Sequence, residues 1–208
     1  ECIKESGSSP MIAPQMLSVE EFFSTLSGGN CADKLTLILH LFDCYSELCA
    51  EDGIKCESLD EFLFWGEVIL NDFNDVDKYL INARDIFRNV SDLKDLSDDL
   101  SYLTENQEKA IRAFLGHFEK TGEYKIRFAR LWNLLGRLYE AFNERLDKEG
   151  LFYEGRLYRT LAAEVSSAGA EDMLSHAFPD ACSIVFCGLN VLCECEKKIL
   201  HGLKNAGL

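Results

Sequence analysis

The run Phe128-Ala-Arg-Leu-Trp-Asn-Leu-Leu-Gly-Arg-Leu-Tyr-Glu-Ala-Phe-Asn-Glu-Arg-Leu146 decides the fold class. Phe128, Leu131, Trp132, Leu135, Leu138, Tyr139, Phe142 and Leu146 recur at three- and four-residue steps, the spacing that gathers side chains on one face of an α-helix. The stripe lasts about five turns and ends at Gly150. A helix with one apolar face needs another element to cover it, and the same period returns along the chain. Leu35, Ile38, Leu39, Phe42, Tyr45 and Cys49 predict a helix to about Ala50, with Asp33 placed to cap it. Phe62, Trp65, Gly66 and Ile69 predict another to about Asp72. Val76, Tyr79, Leu80, Ala83, Ile86 and Phe87 predict a third over Asp75–Asn89.

Shorter helices are expected at Glu20–Leu26 and Gly155–Val165, at Asp92–Leu103 (a helix or turn), and from Thr104 to about Phe118. Ser18 with Glu21, Ser58 with Glu61 and Thr104 with Gln107 have the spacing of capping boxes, in which side chains satisfy the first exposed N–H groups. The fold class is therefore mainly α. The texture changes near the C-terminus. Ser183-Ile-Val-Phe-Cys187 is a β-branched apolar run between Pro179-Asp180 and Gly188, and it predicts a strand. A helix over Asn190–Leu203 follows, so the two read as the opening of an α/β unit. We expect an extended N-terminal segment at 1–17, a helical domain at 18–178, and an incomplete α/β domain beginning at 179–208. The unfinished unit, and Glu1 in place of an initiator Met, lead us to expect a piece of a larger protein.

The 208 residues are 47 % hydrophobic with only three Pro, a globular composition that excludes disordered and collagen-like classes. Lys and Arg number 21 against 36 Asp and Glu, a net charge of −15. That balance argues against a dedicated nucleic-acid-binding domain, which carries a basic footprint. The imbalance is local. Asp43–Glu108 holds 18 acidic and 5 basic residues, whereas Glu119–Arg159 holds 7 acidic and 9 basic. In the second stretch Lys125, Arg127, Arg130, Arg137, Arg156 and Arg159 are interleaved with Tyr124, Phe128, Tyr153 and Tyr158. Such a pattern is either a solvated helix face or a surface for nucleic-acid backbones.

Nine Cys without a CxxC pair, and four His at no ligand spacing from them, read as reduced core thiols and not as a zinc site. No metal or catalytic residue is assigned. A phosphate-binding G-x-x-x-x-G-K-[ST] loop and a G-x-S-x-G elbow are both lacking. The cluster Asp72-Phe-Asn-Asp75-Val-Asp77 fails as a calcium loop, because Val76 and Asp77 occupy the fifth and sixth positions. We read it as a junction between helices, with Asp75 as N-cap and Asp77 in the first turn. Pro179-Asp180 with Glu196-Lys197-Lys198 satisfies the PD-(D/E)XK nuclease string. That chemistry needs the last pair on a strand, and helical spacing turns Glu196 and Lys198 apart. No 18-residue apolar run spans a membrane, and the polar first residues carry no signal-peptide pattern. A cytoplasmic location is expected.

Phe62-Leu-Phe-Trp-Gly-Glu-Val-Ile-Leu-Asn-Asp-Phe-Asn-Asp-Val-Asp-Lys-Tyr-Leu80 and Phe87-Arg-Asn-Val90 resemble a segment of Bacteroides-type PD-(D/E)XK nuclease family proteins. Trp65, Gly66, Asp72, Phe73, Asp75 and Asp77 carry that motif, with a structural role. Ala13–Phe23, Leu103–Gln107, Tyr153–Arg159 and Val185–Leu192 with Cys195-Glu-Lys197 follow in the family's order. The resemblance is to the inactivated, UvrD-like superfamily I helicase region of an AddAB-type DNA-repair helicase–nuclease subunit. It implies a helical insertion followed by the start of a RecA-like half. It also implies a non-catalytic DNA-binding or structural scaffold in double-strand-break processing and recombination. DNA and a helicase–nuclease partner subunit are the candidate partners. No cofactor is expected in this chain, since ATP and magnesium would bind regions of the parent outside it. The rival expectation is an acidic helical module that binds protein and never touches DNA.

Overall fold

The computed structural model describes residues 14–87 and 122–205, with the backbone alone for 122–133 and 167–168. The architecture is mainly helical. In chain order come α1 (Val19–Ser27), β1 (Asn30–Cys31), α2 (Lys34–Glu51), α3 (Leu59–Lys78), α4 (Gly122–Glu149), β2 (Leu151–Phe152), α5 (Glu154–Glu164), a π-helical turn (Val165–Gly169), α6 (Ala170–Ala177) and α7 (Glu194–Asn205). Residues 83–87 are also helical. The helices expected at Asp92–Leu103 and from Thr104 to Phe118 lie outside the described residues.

Local chemistry starts the helices where the spacing predicts. The Ser18 hydroxyl accepts from the Glu21 N–H at 3.1 Å while the Glu21 carboxylate accepts from the Ser18 N–H at 2.8 Å, a complete capping box. Asp33 caps α2 by accepting from the Thr36 N–H at 3.0 Å. At α3, the Glu61 carboxylate accepts from the Ser58 N–H at 3.1 Å.

Two cores result. In the first, α2, α3 and α4 bury Leu41, Phe62, Phe73, Leu138, Phe142 and Leu146. In the second, α1, α5, α6 and α7 bury Phe23, Leu161, Leu174, Cys195 and Ile199. Each fully buried Leu, Ile or Phe contributes about 1.5–3 kcal/mol before conformational entropy is counted. Two glycines permit close helix contacts. A Cβ on Gly66 would meet the Phe62 ring and lie 3.3 Å from Ile38 Cγ2 on α2. A Cβ on Gly155 would lie 2.5 Å from the Asn74 carbonyl oxygen, so only Gly lets α5 start against the last turns of α3.

Three expectations are corrected. The predicted break at Asp72–Asp75 does not occur, and α3 is one helix to Lys78. Asp75 is therefore not an N-cap, and Asp77 lies in a last turn, not a first. The apolar face explains this: Gly66, Ile69, Leu70, Phe73 and Val76 keep the helical period unbroken through the acidic residues. The chain leaves α3 through Leu80, whose φ of 56° is left-handed. The Ile81 N–H closes the helix end on the Val76 carbonyl at 2.9 Å. Leu80 packs against the second core, a contact that offsets the strain of that backbone.

Ser183–Cys187 is not a strand. No ladder hydrogen bond holds it among the described residues. It runs as an extended strap, with Ile184 and Phe186 packed on the second core and Val185 83 % exposed. Phe186 meets Phe22 edge-on at 5.3 Å, and Phe178 stacks on the same ring at 5.0 Å. Alternating apolar residues suit any half-buried extended backbone, paired or not. The following helix starts at Glu194, later than expected, and buries Cys195, Ile199 and Leu203 in that same core. The one described sheet was not anticipated. Asn30 pairs with Leu151 and Cys31 with Phe152, in parallel.

Candidate functional site

The sequence-predicted acidic cluster separates in space. Asp72 and Asp75 are exposed, whereas Asp77 is completely buried at the point where α3, α4, α5 and α7 meet. A buried carboxylate requires donors, and Tyr139, Tyr153 and Arg159 supply them. Tyr139 of α4 donates to Asp77 Oδ1 at 2.5 Å, and Tyr153, just ahead of α5, donates to Oδ2. Arg159 of α5 donates to Oδ1 at 2.9 Å and to the Ile81 carbonyl at 3.0 Å. Cys195 of α7 donates its thiol to the Asp77 backbone carbonyl at 3.2 Å.

The neighbouring turns reinforce this junction. The Gly155 N–H donates to Asn74 Oδ1 at 2.6 Å, and Lys78 pairs with Glu154 at 2.6 Å. The Lys78 ammonium also lies 5.4 Å from the centre of the Tyr158 ring, a cation–π contact. Positions 74, 77 and 78 share one side of α3 because residues three and four apart do so.

The electrostatics define what this arrangement does. Burial, and then the hydrogen bond to Asp77, push the Tyr139 phenol up to about 12. Burial and the Asp77 charge hold Tyr153 well above the ordinary range. Burial likewise pushes the Cys195 thiol up to about 12. These groups keep their protons at neutral pH and give them to Asp77 as hydrogen bonds. The junction is thus an internal knot joining the two cores, with no free base or thiolate among its described members.

The basic residues of the second stretch divide in a similar way. Arg137 forks onto both Asp52 oxygens at 2.9 and 2.8 Å and onto Glu51 at 2.9 Å. Arg145 reaches Glu47 at 2.6 Å and Asp43 at 3.4 Å. Arg156 pairs with Asp147 at 3.2 Å, and Arg159 holds Asp77. Lys125, Arg127 and Arg130 belong to the first turns of α4, but their side chains lie outside the described residues. Of the six predicted nucleic-acid contacts, Arg137, Arg156 and Arg159 are therefore engaged with carboxylates of this chain.

Of the motif residues, Gly66 and Phe73 are buried between helices. Trp65 is 38 % exposed and lies edge-on to Phe64, with ring centres 5.6 Å apart. Asp180 is exposed in a turn, while Glu196 accepts from the Cys193 N–H at 2.7 Å at the start of α7. Glu196 and Lys198 thus sit on a helix, as their spacing predicts. No group of three or more His, Cys, Asp or Glu among the described residues is arranged to hold a metal ion. No described helix is long and apolar enough to cross a membrane. Cys44, Cys49 and Cys195 are buried, but Cys31, Cys182 and Cys187 are exposed, so the core-thiol reading describes only part of the set.

Tyr139 and Tyr153 were not singled out as partners of Asp77 in the sequence. The available signal was an acidic residue four positions after Phe73 on an apolar face, which demands buried donors from elsewhere. No protein-family model matches the chain, and neither a curated protein nor a solved structure matches it.

Proposed function

We propose that this chain is a non-catalytic helical scaffold that works by protein–protein contact, its acidic surface receiving a basic partner. The supporting observation is the engagement of Arg137, Arg145, Arg156 and Arg159 by internal carboxylates. An arginine already forked onto Asp52 must break that pairing before it meets a phosphate. The surplus of negative charge, meanwhile, stays on the surface. Asp60, Asp72, Asp75, Glu171 and Asp172 are all exposed. A field of one sign attracts partners of the other sign and weakens with salt.

The helicase-like DNA scaffold is the second reading. Lys125, Arg127 and Arg130, spaced along one continuous α4, are the feature that favours it. In that reading the partner is a helicase–nuclease subunit.

Titration of the chain with a lysine-rich polypeptide, and separately with short duplex and single-stranded DNA at low salt, tests the choice. Binding of the polypeptide alone is expected. Its affinity should fall on Asp60→Lys with Asp75→Lys, both in the acidic stretch Asp43–Glu108, more than on Glu171→Lys with Asp172→Lys outside it. Tight DNA binding, lost when Lys125, Arg127 and Arg130 become Glu, would transfer the assignment to the second reading.

A further inference from the structure

The two long sides of α3 differ sharply. Phe62, Gly66, Ile69, Leu70, Phe73 and Val76 face the core. On the outer side, Phe64 is 71 %, Trp65 38 % and Val68 42 % exposed. Positions 64, 68, 72 and 75 follow one another at steps of four, four and three, so they line one side of the helix. This side therefore carries an apolar centre, with Asp60 before it and Asp72 and Asp75 after it. All three carboxylates are exposed. The Asp72 carboxyl is raised above its ordinary range, first by partial burial and then by the neighbouring Asp75 charge. A cation placed there would relieve that repulsion.

We propose that this side of α3 docks a basic amphipathic helix from a partner protein, with Phe64, Trp65 and Val68 receiving its apolar stripe and Asp60, Asp72 and Asp75 its Lys or Arg residues. The inference rests on the scaffold reading and gives it an address. Charge complementarity selects the occupant. Nucleic acid and anionic lipid would meet carboxylates with phosphates, and a second copy of this side would meet like charge with like charge. Aromatic anchors ringed by polar groups are the usual energetic centre of a protein interface. An exposed helix side of this kind suits anchors at i, i+3, i+4 and i+7 on the incoming helix. From Asp60 to Asp75 the surface is about 22 Å long, or roughly four turns of a partner helix.

The chain has two tryptophans, Trp65 and Trp132, so Trp132→Phe makes the fluorescence a report on Trp65. That variant is titrated with an 18-residue Leu/Lys peptide of helical amphipathic pattern, and with a peptide of the same composition in scrambled order. The proposal expects a blue shift of Trp65 emission and affinity at least tenfold higher for the patterned peptide. Phe64→Ser with Val68→Ser should weaken the patterned peptide at least tenfold at unchanged helical circular dichroism. Asp72→Asn with Asp75→Asn should flatten its salt dependence. Equal affinity for both peptides, or indifference to the serine pair, overturns the α3 address. If the lysine-rich polypeptide still binds in that case, the acidic-scaffold reading survives; if it too fails to bind, both readings fall.

Discussion

Arg159 and Arg145 look alike until their partners are compared. Their side chains are similarly exposed, at 29 % and 26 %. Arg159 holds Asp77, which has no exposure, whereas Arg145 holds Glu47, which is 64 % exposed. At the junction of α3, α4 and α5 the carboxylate has left water altogether and depends on Tyr139, Tyr153 and Arg159 for its hydrogen bonds. Along the α2–α4 seam, water competes for every charge. The same residue pair thus has two energetic meanings. Burial of the acceptor decides between them, not the Arg and not the distance.

The largest expected effect follows from the first case. Asp77→Ala removes the acceptor and leaves Arg159 and two tyrosine hydroxyls facing a gap. Losing one member of a buried charge pair costs about 3–5 kcal/mol, and urea unfolding followed by circular dichroism measures it. A cost below about 1 kcal/mol, the range of exposed pairs, would erase the distinction between the two regions. Tyr153→Phe is a finer probe, because it keeps the ring stacked on Phe142 at 5.7 Å and deletes only the hydroxyl. It leaves Asp77 Oδ2 without the donor it now has. The expected loss is about 1–3 kcal/mol, below that of Asp77→Ala in the same assay. An equal loss would mean that this one hydroxyl carries the whole contribution of the Asp77 knot; no loss would mean that the ring packing, and not the hydroxyl, holds Tyr153 in place.

The helices were legible because each apolar face repeats within a few turns, so the information is local. Phe128–Leu146 predicted α4, and Ser18 with Glu21 marked the start of α1. The misreadings share one cause. Asp72 and Asp75 carry the local signs of a helix boundary, but Phe73 packs on Tyr139 and Phe142, distant in sequence, and the buried face that it shares with Val76 keeps α3 intact. Ser183–Cys187 has the local signs of a strand, yet no neighbouring strand meets it among the described residues, and Ile184 and Phe186 pack on the second core instead. The Asp77 knot was hidden for the same reason. Its members come from residues 77, 139, 153, 159 and 195, and only the packing of the helices brings them together. The uneven charge was readable as composition. That Arg137 and Arg145 on α4 answer the acidic side of α2 was not, because spacing within one helix says nothing about its neighbour's register.

Arg145→Ala tests the weaker half of the comparison. The guanidinium spans Asp43 and Glu47, one turn apart on α2. Removing it exposes two carboxylates that already point to water, so neither is stranded. The expected loss is below about 1 kcal/mol. Salt separates this effect from that of Asp77→Ala. Raising ionic strength screens charges in water far more than buried ones, so the cost of Arg145→Ala should shrink toward zero at about 1 M salt, where the screening length is only about 3 Å. The cost of Asp77→Ala should persist under the same conditions. A salt-insensitive loss at Arg145 would mean that its aliphatic stem contributes more than its charge. The surface ladder would then act by packing, and the contrast with Arg159 would be one of degree in burial alone.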